Sequence, residues 1–253
     1  MQPFKIVIPA RHGSTRLPGK PLLNLAGRPM IVHVCERALE AGGEVFVATD
    51  DLRIQEAVKG LEVTAVMTRE DHASGSERIT EVADQLGWSD DTLIVNLQGD
   101  EPLMDPRLIQ QLAEALGPSE SARTATLAAR IQERQEIFDP NAVKVVIDRN
   151  GHALYFSRAP IPWDRASFST EGAVLKPEQV WYRHIGIYAY STGFLRDYIR
   201  WPTSPLETVE SLEQLRILYQ GEKIRVVPVD SAPQAGVDTG ADLARVDLLL
   251  RSR

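Results

Sequence analysis

Residues Pro9-Ala10-Arg11-His12-Gly13-Ser14-Thr15-Arg16-Leu17-Pro18-Gly19-Lys20 gather three cations and two glycines directly after the apolar run Ile6-Val7-Ile8. The first thirty residues hold five cations (Lys5, Arg11, Arg16, Lys20, Arg28) and no Asp or Glu, in a chain of net charge −7. Such a loop suits a polyphosphate. Gly13 and Gly19 let backbone N–H groups approach anionic oxygens, while the cations offset several charges at once. It is not a Walker loop, because Pro21 follows Lys20, and it is not G-x-G-x-x-G. A solvated basic turn is the plainer alternative; the strand before the loop and the missing acids favour phosphate.

Carboxylates supply a second kind of chemistry. The segment Val95-Asn96-Leu97-Gln98-Gly99-Asp100-Glu101-Pro102 joins a strand end, a glycine and two acids. Mg²⁺ takes hard oxygen ligands, typically one or two carboxylates plus substrate phosphates. Asp100 is the first choice, its alternative role being a turn-former before Pro102. In Gly236-Val237-Asp238-Thr239-Gly240-Ala241-Asp242, Thr239 and Asp242 already fit a capping box, which frees Asp238 to be a second ligand. Ser74 and Gly75 offer groups to a base edge or ribose, yet Ser74 with Glu77 equally forms a capping box.

Two further pairs share a face by spacing. His184 and Tyr188 lie two periods apart on a predicted strand, and Glu210 and Gln214 four apart on a predicted helix. Together they suit a polyol; separately each is an ordinary polar patch. Cys35, on an apolar helix face, reads as a core thiol. With no G-x-S-x-G elbow either, covalent catalysis has no support.

These residues need elements to position them. Strands are predicted at 4–9, 45–48, 62–67 and 92–97, alternating with helices at 30–41, 76–87 and 105–116. Beyond residue 118 the pattern loosens into strands at 124–131, 142–148, 153–156 and 184–191, a helix at 206–220, a strand at 224–229 and a helix at 239–251. Apolar strands alternating with helices imply a mixed, mostly parallel α/β sheet flanked by helices, with ligands at the carboxyl ends of strands. The basic loop, Asp50 and Asp100 all fall at that edge. Residues 157–177 lack a period and read as an interaction arm. The whole of 1–253 is expected to form one domain, with an excursion at about 150–190.

Composition narrows the setting. A chain of 43% hydrophobic and 25% charged residues is an ordinary globular protein, with no apolar run of membrane-spanning length. One cysteine excludes an internal disulfide and a cysteine-based zinc cluster. A cytoplasmic location is expected, without membrane insertion. The acidic balance argues against nucleic acid and leaves the basic loop a small anionic ligand.

Taken together, the motifs resemble those of the 3-deoxy-manno-octulosonate cytidylyltransferase family, the CMP-Kdo synthetases of Gram-negative bacteria. The matching blocks are Ile8-Pro9-Ala10-Arg11 to Lys20-Pro21-Leu22, Ala48-Thr49-Asp50-Asp51, Asp71-His72-x-Ser74-Gly75 and Asn96-x-Gln98-Gly99-Asp100-Glu101-Pro102. They continue with Tyr155-Phe156-Ser157-Arg158, Tyr182-Arg183-His184-Ile185-Gly186-Ile187-Tyr188, Glu210-x-Leu212-Glu213-Gln214 and Gly236-Val237-Asp238-Thr239. Ser76 stands where the family pattern has Thr, and a hydroxyl is retained.

The resemblance implies a nucleotide-binding sheet with an inserted dimerisation arm, a homodimer, and CTP, Kdo and Mg²⁺ as ligands. The implied reaction is attack of the Kdo anomeric hydroxyl on the α-phosphate, giving CMP-Kdo and pyrophosphate for lipopolysaccharide biosynthesis. It assigns Arg11, Arg16 and Lys20 to the triphosphate and Asp100 and Asp238 to the metal. Pro9, Ala10, Gly13, Ser14, Ser74, Gly75, Arg78 and Gln98 complete the nucleotide site, with Ala10, Ser74 and Gly75 reading cytosine. Arg158, His184, Tyr188, Glu210 and Gln214 are assigned to the sugar acid.

Overall fold

The computed structural model describes residues 2–13, 17–117, 121–168, 181–230 and 232–252. Strand β1 (Phe4–Ala10) is buried along most of its length because it lies inside a sheet covered on both faces. Ile6 and Ile8 point into one apolar layer and Val7 into the other, as strand alternation requires. After a 3-10 turn at Lys20–Leu22 and a small hairpin, β2 (Asn24–Leu25) with β3 (Arg28–Pro29), helix α1 (Met30–Glu40) leads into β4 (Glu44–Thr49). Then come α2 (Leu52–Ala57), β5 (Val63–Met67), α3 (Gly75–Gln85), β6 (Leu93–Asn96) and α4 (Pro106–Glu114). Strands β6, β1, β4 and β5 lie parallel in that order, so their carboxyl ends share one edge.

The second half extends this sheet with antiparallel pairing. The elements are β7 (Thr124–Arg130), α5 (Arg134–Phe138), β8 (Lys144–Ile147), β9 (Ala153–Ser157), β10 (Tyr182–Ser191) and α6 (Thr192–Tyr198). They are followed by α7 (Pro205–Glu210), α8 (Gln214–Tyr219), β11 (Ile224–Val229) and α9 (Gly240–Arg251). Strand β10 runs antiparallel between β6 and β7, and β11 lies parallel to β7, giving the order β11-β7-β10-β6-β1-β4-β5. Helices α1 and α4 cover one face; α3, α6 and α8 cover the other.

Two local departures shape the site. The single helix predicted at 206–220 is broken: Ser211 adopts a left-handed φ of 52° and caps α7, and α8 starts afresh at Gln214. The break lets Leu212, Leu215 and Ile217 reach the core while Val209 stays 86% exposed. Glu210 and Gln214 therefore lie on different helices and do not share the face their spacing implied. In β10, Ile185 pairs with Leu127 but Tyr188 pairs with Thr126, so the strand bulges between them.

The described part of the predicted arm, residues 158–168, carries no helix or strand, and residues 169–180 lie outside the described residues. Phe168 packs against Trp181 with rings stacked at 5.3 Å. Among the described residues no helix is long and apolar enough to cross a membrane.

Candidate active site

At the carboxyl ends of β1 and β6 a cavity of about 300 Å³ opens. The end of β1 contributes Pro9, Ala10 and Arg11, and the 3-10 turn contributes Lys20. The start of α3 supplies Ser74, Gly75 and Arg78, and the loop after β6 supplies Gln98, Gly99 and Asp100. Among the described residues Arg11 is exposed and makes no ion pair, so its charge is available to a ligand. Gly13 does not line the cavity, and Ser14 and Arg16 lie outside the described residues.

Asp238 reaches this cluster through a backbone contact. Val237 N–H donates to the Asp100 carbonyl at 2.9 Å. Gly236 permits the approach, because a Cβ there would stand 2.8 Å from Asp100 O. Thr239 and Asp242 form the expected capping box, and Asp238 is left facing Asp100's neighbourhood. Lys20 joins the two acids: its Nζ donates to Asp100 Oδ2 at 2.6 Å and to Asp238 Oδ1 at 2.9 Å. Burial works against the Lys20 charge, but the hydrogen bonds and charges of both aspartates outweigh it and push its pKa up. The backbone preceding it turns through Gly19, at a left-handed φ of 67°.

Glu101, next along, is half-buried, and its pKa is pushed up to about 8 by desolvation and by the charges of Asp100 and Asp238. Its Oε2 has no hydrogen-bond partner among the described residues. No group of three or more His, Cys, Asp and Glu side chains among the described residues is poised for a metal. Yet two carboxylates already converge on one cationic group, and an orphaned carboxyl oxygen lies beside them. That hard-oxygen set suits Mg²⁺.

Ser74 performs its capping role, accepting from Glu77 N at 3.2 Å, and still lines the cavity. Arg78 is buried; it donates to Asp50 Oδ2 at 2.8 Å and to Thr68 Oγ1. Asp50 also accepts from His12 N at 3.2 Å, so it ties the basic loop to α3. The sequence reading gave Asp50 and His72 no role. His72 lines the cavity and bonds Glu81 through Nε2; its place in the Asp71-His72-x-Ser74-Gly75 block, two residues before a helix cap, was the available signal.

A second cavity of about 330 Å³ adjoins the first, sharing Gly75, Gln98 and Glu213 with it. His184 and Tyr188 both face it, with rings 5.4 Å apart; strand alternation puts them on one side of the sheet, and the two-residue slip in register between Ile185 and Tyr188 leaves that alternation intact. Burial brings the His184 pKa down to about 3, so the ring is neutral. Thr126 Oγ1 lies 2.8 Å from Ile187 O, 3.1 Å from Ile185 O and 3.0 Å from His184 Nε2. Its single proton is used on a carbonyl, so the network assigns the His184 proton to Nε2 and leaves Nδ1 an acceptor. Tyr188 OH and Gln214 Nε2, both lining this cavity, are buried with no hydrogen-bond partner among the described residues. Buried donors left unpaired are costly unless a ligand meets them.

Arg158 and Glu210 line neither cavity. Glu210 accepts from Ser157 Oγ at 2.5 Å and Arg158 N at 3.0 Å. The Arg158 guanidinium donates to the carbonyls of Glu210 at 2.8 Å and Pro140 at 3.0 Å. Lys144, wholly buried, donates to Arg158 O at 2.7 Å and to the carbonyls of Asp139 and Ala142. The two residues assigned to the sugar thus bond to one another and to backbone at the end of α7.

A family profile described as cytidylyltransferase matches residues 5–224. The 3-deoxy-manno-octulosonate cytidylyltransferase of Methylococcus capsulatus is 63% identical over 99% of this chain and 98% of its own length. The chain belongs to the 3-deoxy-manno-octulosonate cytidylyltransferase family. The enzyme of that name from Hahella chejuensis is 56% identical over 97% of each chain. A solved CMP:2-keto-3-deoxy-manno-octonic acid synthetase complexed with CTP is 43% identical, with a TM-score of 0.89 over 99% of both chains. A cytidylyltransferase from Leptospira borgpetersenii, 18% identical with a TM-score of 0.64, shares the fold. In this cytidylyltransferase the two cavities adjoin at Gly75, Gln98 and Glu213.

Proposed function

We propose that this cytidylyltransferase activates Kdo with CTP, forming CMP-Kdo and pyrophosphate for lipopolysaccharide biosynthesis. The observation carrying this reading is the pair of adjoining cavities, one rimmed by Arg11, Lys20, Asp100 and Ser74, the other by neutral His184, Tyr188 and Gln214. The first has the charges for a triphosphate and the second has unpaired polar groups for a polyol. The names of the full-length relatives support the same assignment.

In this reading the Kdo anomeric hydroxyl attacks the α-phosphate. Arg11 and Lys20 offset charge growing on the departing pyrophosphate, with Arg16 added by the family resemblance. Asp100 and Asp238 would hold Mg²⁺, whose chemistry there is to lower the pKa of a coordinated hydroxyl and offset phosphate charge. Ala10, Ser74 and Gly75 bind the cytosine end. Arg158 and Glu210 act by fixing the α7–α8 junction, and His184, Tyr188 and Gln214 meet the sugar. The chain works as one domain, in keeping with its length, and in the cytoplasm, in keeping with its single cysteine; the homodimer rests on the family resemblance.

The test is pyrophosphate release from CTP with and without Kdo. Release that depends on Kdo and on Mg²⁺ is expected. CTP binding with no turnover on Kdo, amino-Kdo or N-acetylneuraminate would overturn the reading.

A further inference from the structure

Lys144 opens β8, paired across to Ser157 of β9 and Arg183 of β10, and its side chain is wholly buried. A buried ammonium ordinarily has a carboxylate beside it, because an isolated charge is costly to desolvate. Among the described residues Lys144 makes no ion pair. The nearby acids are committed elsewhere. Asp139 accepts from Asn141 N at 2.8 Å, Glu136 pairs with Arg183 at 2.9 Å, and Glu210 takes Ser157 and Arg158. Lys144 Nζ donates instead to three main-chain carbonyls, Asp139 O at 2.7 Å, Ala142 O at 2.6 Å and Arg158 O at 2.7 Å.

Three acceptors use all three protons of an ammonium, whereas a neutral amine would turn its lone pair on the third carbonyl. Burial pulls the Lys144 pKa down, against the Asp139 charge, but this cradle is satisfied only by the charged form. Backbone carbonyls standing in for a hydration shell are also how proteins hold K⁺. K⁺ and ammonium are of similar size, so oxygens spaced for one suit the other. The cradle joins two segments, since Asp139 and Ala142 follow α5 and Arg158 follows β9. The Arg158 guanidinium reaches the same turn at Pro140 O and the end of α7 at Glu210 O.

We propose that these three carbonyls form a monovalent-cation site filled by the chain's own ammonium, which thereby positions Arg158. Through Arg158 the site fixes the end of α7, where Ser157 Oγ and Arg158 N hold the Glu210 carboxylate. Lys144 lines neither cavity, so it is a positioning residue. Its effect on the reaction rests on reading the second cavity as the sugar half; the cation chemistry does not.

Lys144→Ala empties the cradle, and Lys144→Met keeps the stem but puts a methyl group where the charge was. Both are compared with wild type by thermal melting in KCl, NH₄Cl and LiCl at equal ionic strength. Lys144→Ala should melt below wild type, and K⁺ and NH₄⁺ should raise its Tm above the value in Li⁺, which is too small to reach all three oxygens. Wild type and Lys144→Met should show no such selectivity. In Li⁺ the KM of Lys144→Ala for Kdo should rise roughly 10-fold with CTP affinity held, and K⁺ should recover it. Ion selectivity no greater than that of wild type, or a Lys144→Met protein matching wild type in Tm and KM, overturns the cation site. A KM for Kdo within twofold of wild type in both variants overturns the positioning role. If Lys144→Ala folds in no salt, NMR of the wild-type lysine side chains decides. One ammonium signal protected from solvent exchange is expected, and its absence overturns the proposal. Wild type that shows no Kdo-dependent release defeats the functional reading instead, and the melts still test the cradle.

Discussion

Lys20 and Asp238 stand 218 residues apart in sequence, and their side chains meet at 2.9 Å. The same ammonium holds Asp100 at 2.6 Å, so Lys20 occupies the point on which both carboxylates converge. A divalent cation entering between them must displace it. Lys20→Met removes the charge at nearly constant volume. It should raise Mn²⁺ affinity in the absence of nucleotide, because no ammonium competes for the acids. It should also lower kcat/KM for CTP by about 1.5–3 kcal/mol, the range for hydrogen bonds to charged groups. Calorimetric Mn²⁺ titration and steady-state kinetics check the two arms; unchanged values in both would place Lys20 outside the reaction.

Asp100→Asn and Asp238→Asn should each reduce kcat at least about 100-fold, roughly 3 kcal/mol, with the fold retained. Chelator should abolish wild-type activity and excess Mg²⁺ should restore it. Near-normal kcat in Asp238→Asn, with circular dichroism unchanged, removes that residue from the metal site.

Gln214 Nε2 is a buried donor with no partner among the described residues. Replacing it by an apolar group of similar length removes an unmet polar atom, so Gln214→Leu should melt no lower than wild type. Its KM for Kdo should rise by about 1–3 kcal/mol in equivalent free energy, with CTP affinity unchanged. A lower Tm combined with a normal KM would make Gln214 a structural residue only.

The pH dependence of stability carries the signature of His184. Its folded pKa is depressed to about 3 by burial. The neutral ring is compatible with folding above the unfolded pKa of about 6.5, and below that the unfolded chain binds a proton the folded one refuses. This group therefore costs stability as pH falls from about 6.5 towards its folded value, by up to ~1.4 kcal/mol per pH unit. Urea unfolding of wild type and His184→Gln between pH 7 and pH 4.5 should show a shallower slope in the variant. Parallel slopes would show that the imidazole accepts its proton in place.

Much of the chemistry was legible because it is written in adjacent residues. The apolar run before Arg11, the Gly99-Asp100 strand end and the Thr239–Asp242 box each depend on near neighbours, and each lies where the spacing put it. Periodicity likewise located the helices at 30–41 and 105–116 to within a few residues.

What only the tertiary structure decided is which distant groups meet. Spacing put Glu210 and Gln214 on one helix face, but core packing of Leu212 and Leu215 stops the helix at Ser211, a local break repaid by burial. Arg158 had the planar fork for a sugar carboxylate, yet its guanidinium is taken up by backbone carbonyls brought from the α7–α8 junction. Lys144 gave no signal at all, and it is wholly buried among three carbonyls. A local pattern fixes an element because its energy depends on neighbours within a few residues. A contact such as Lys20 with Asp238 depends instead on strand order and on the close approach at Gly236, which arise only when the whole sheet has assembled.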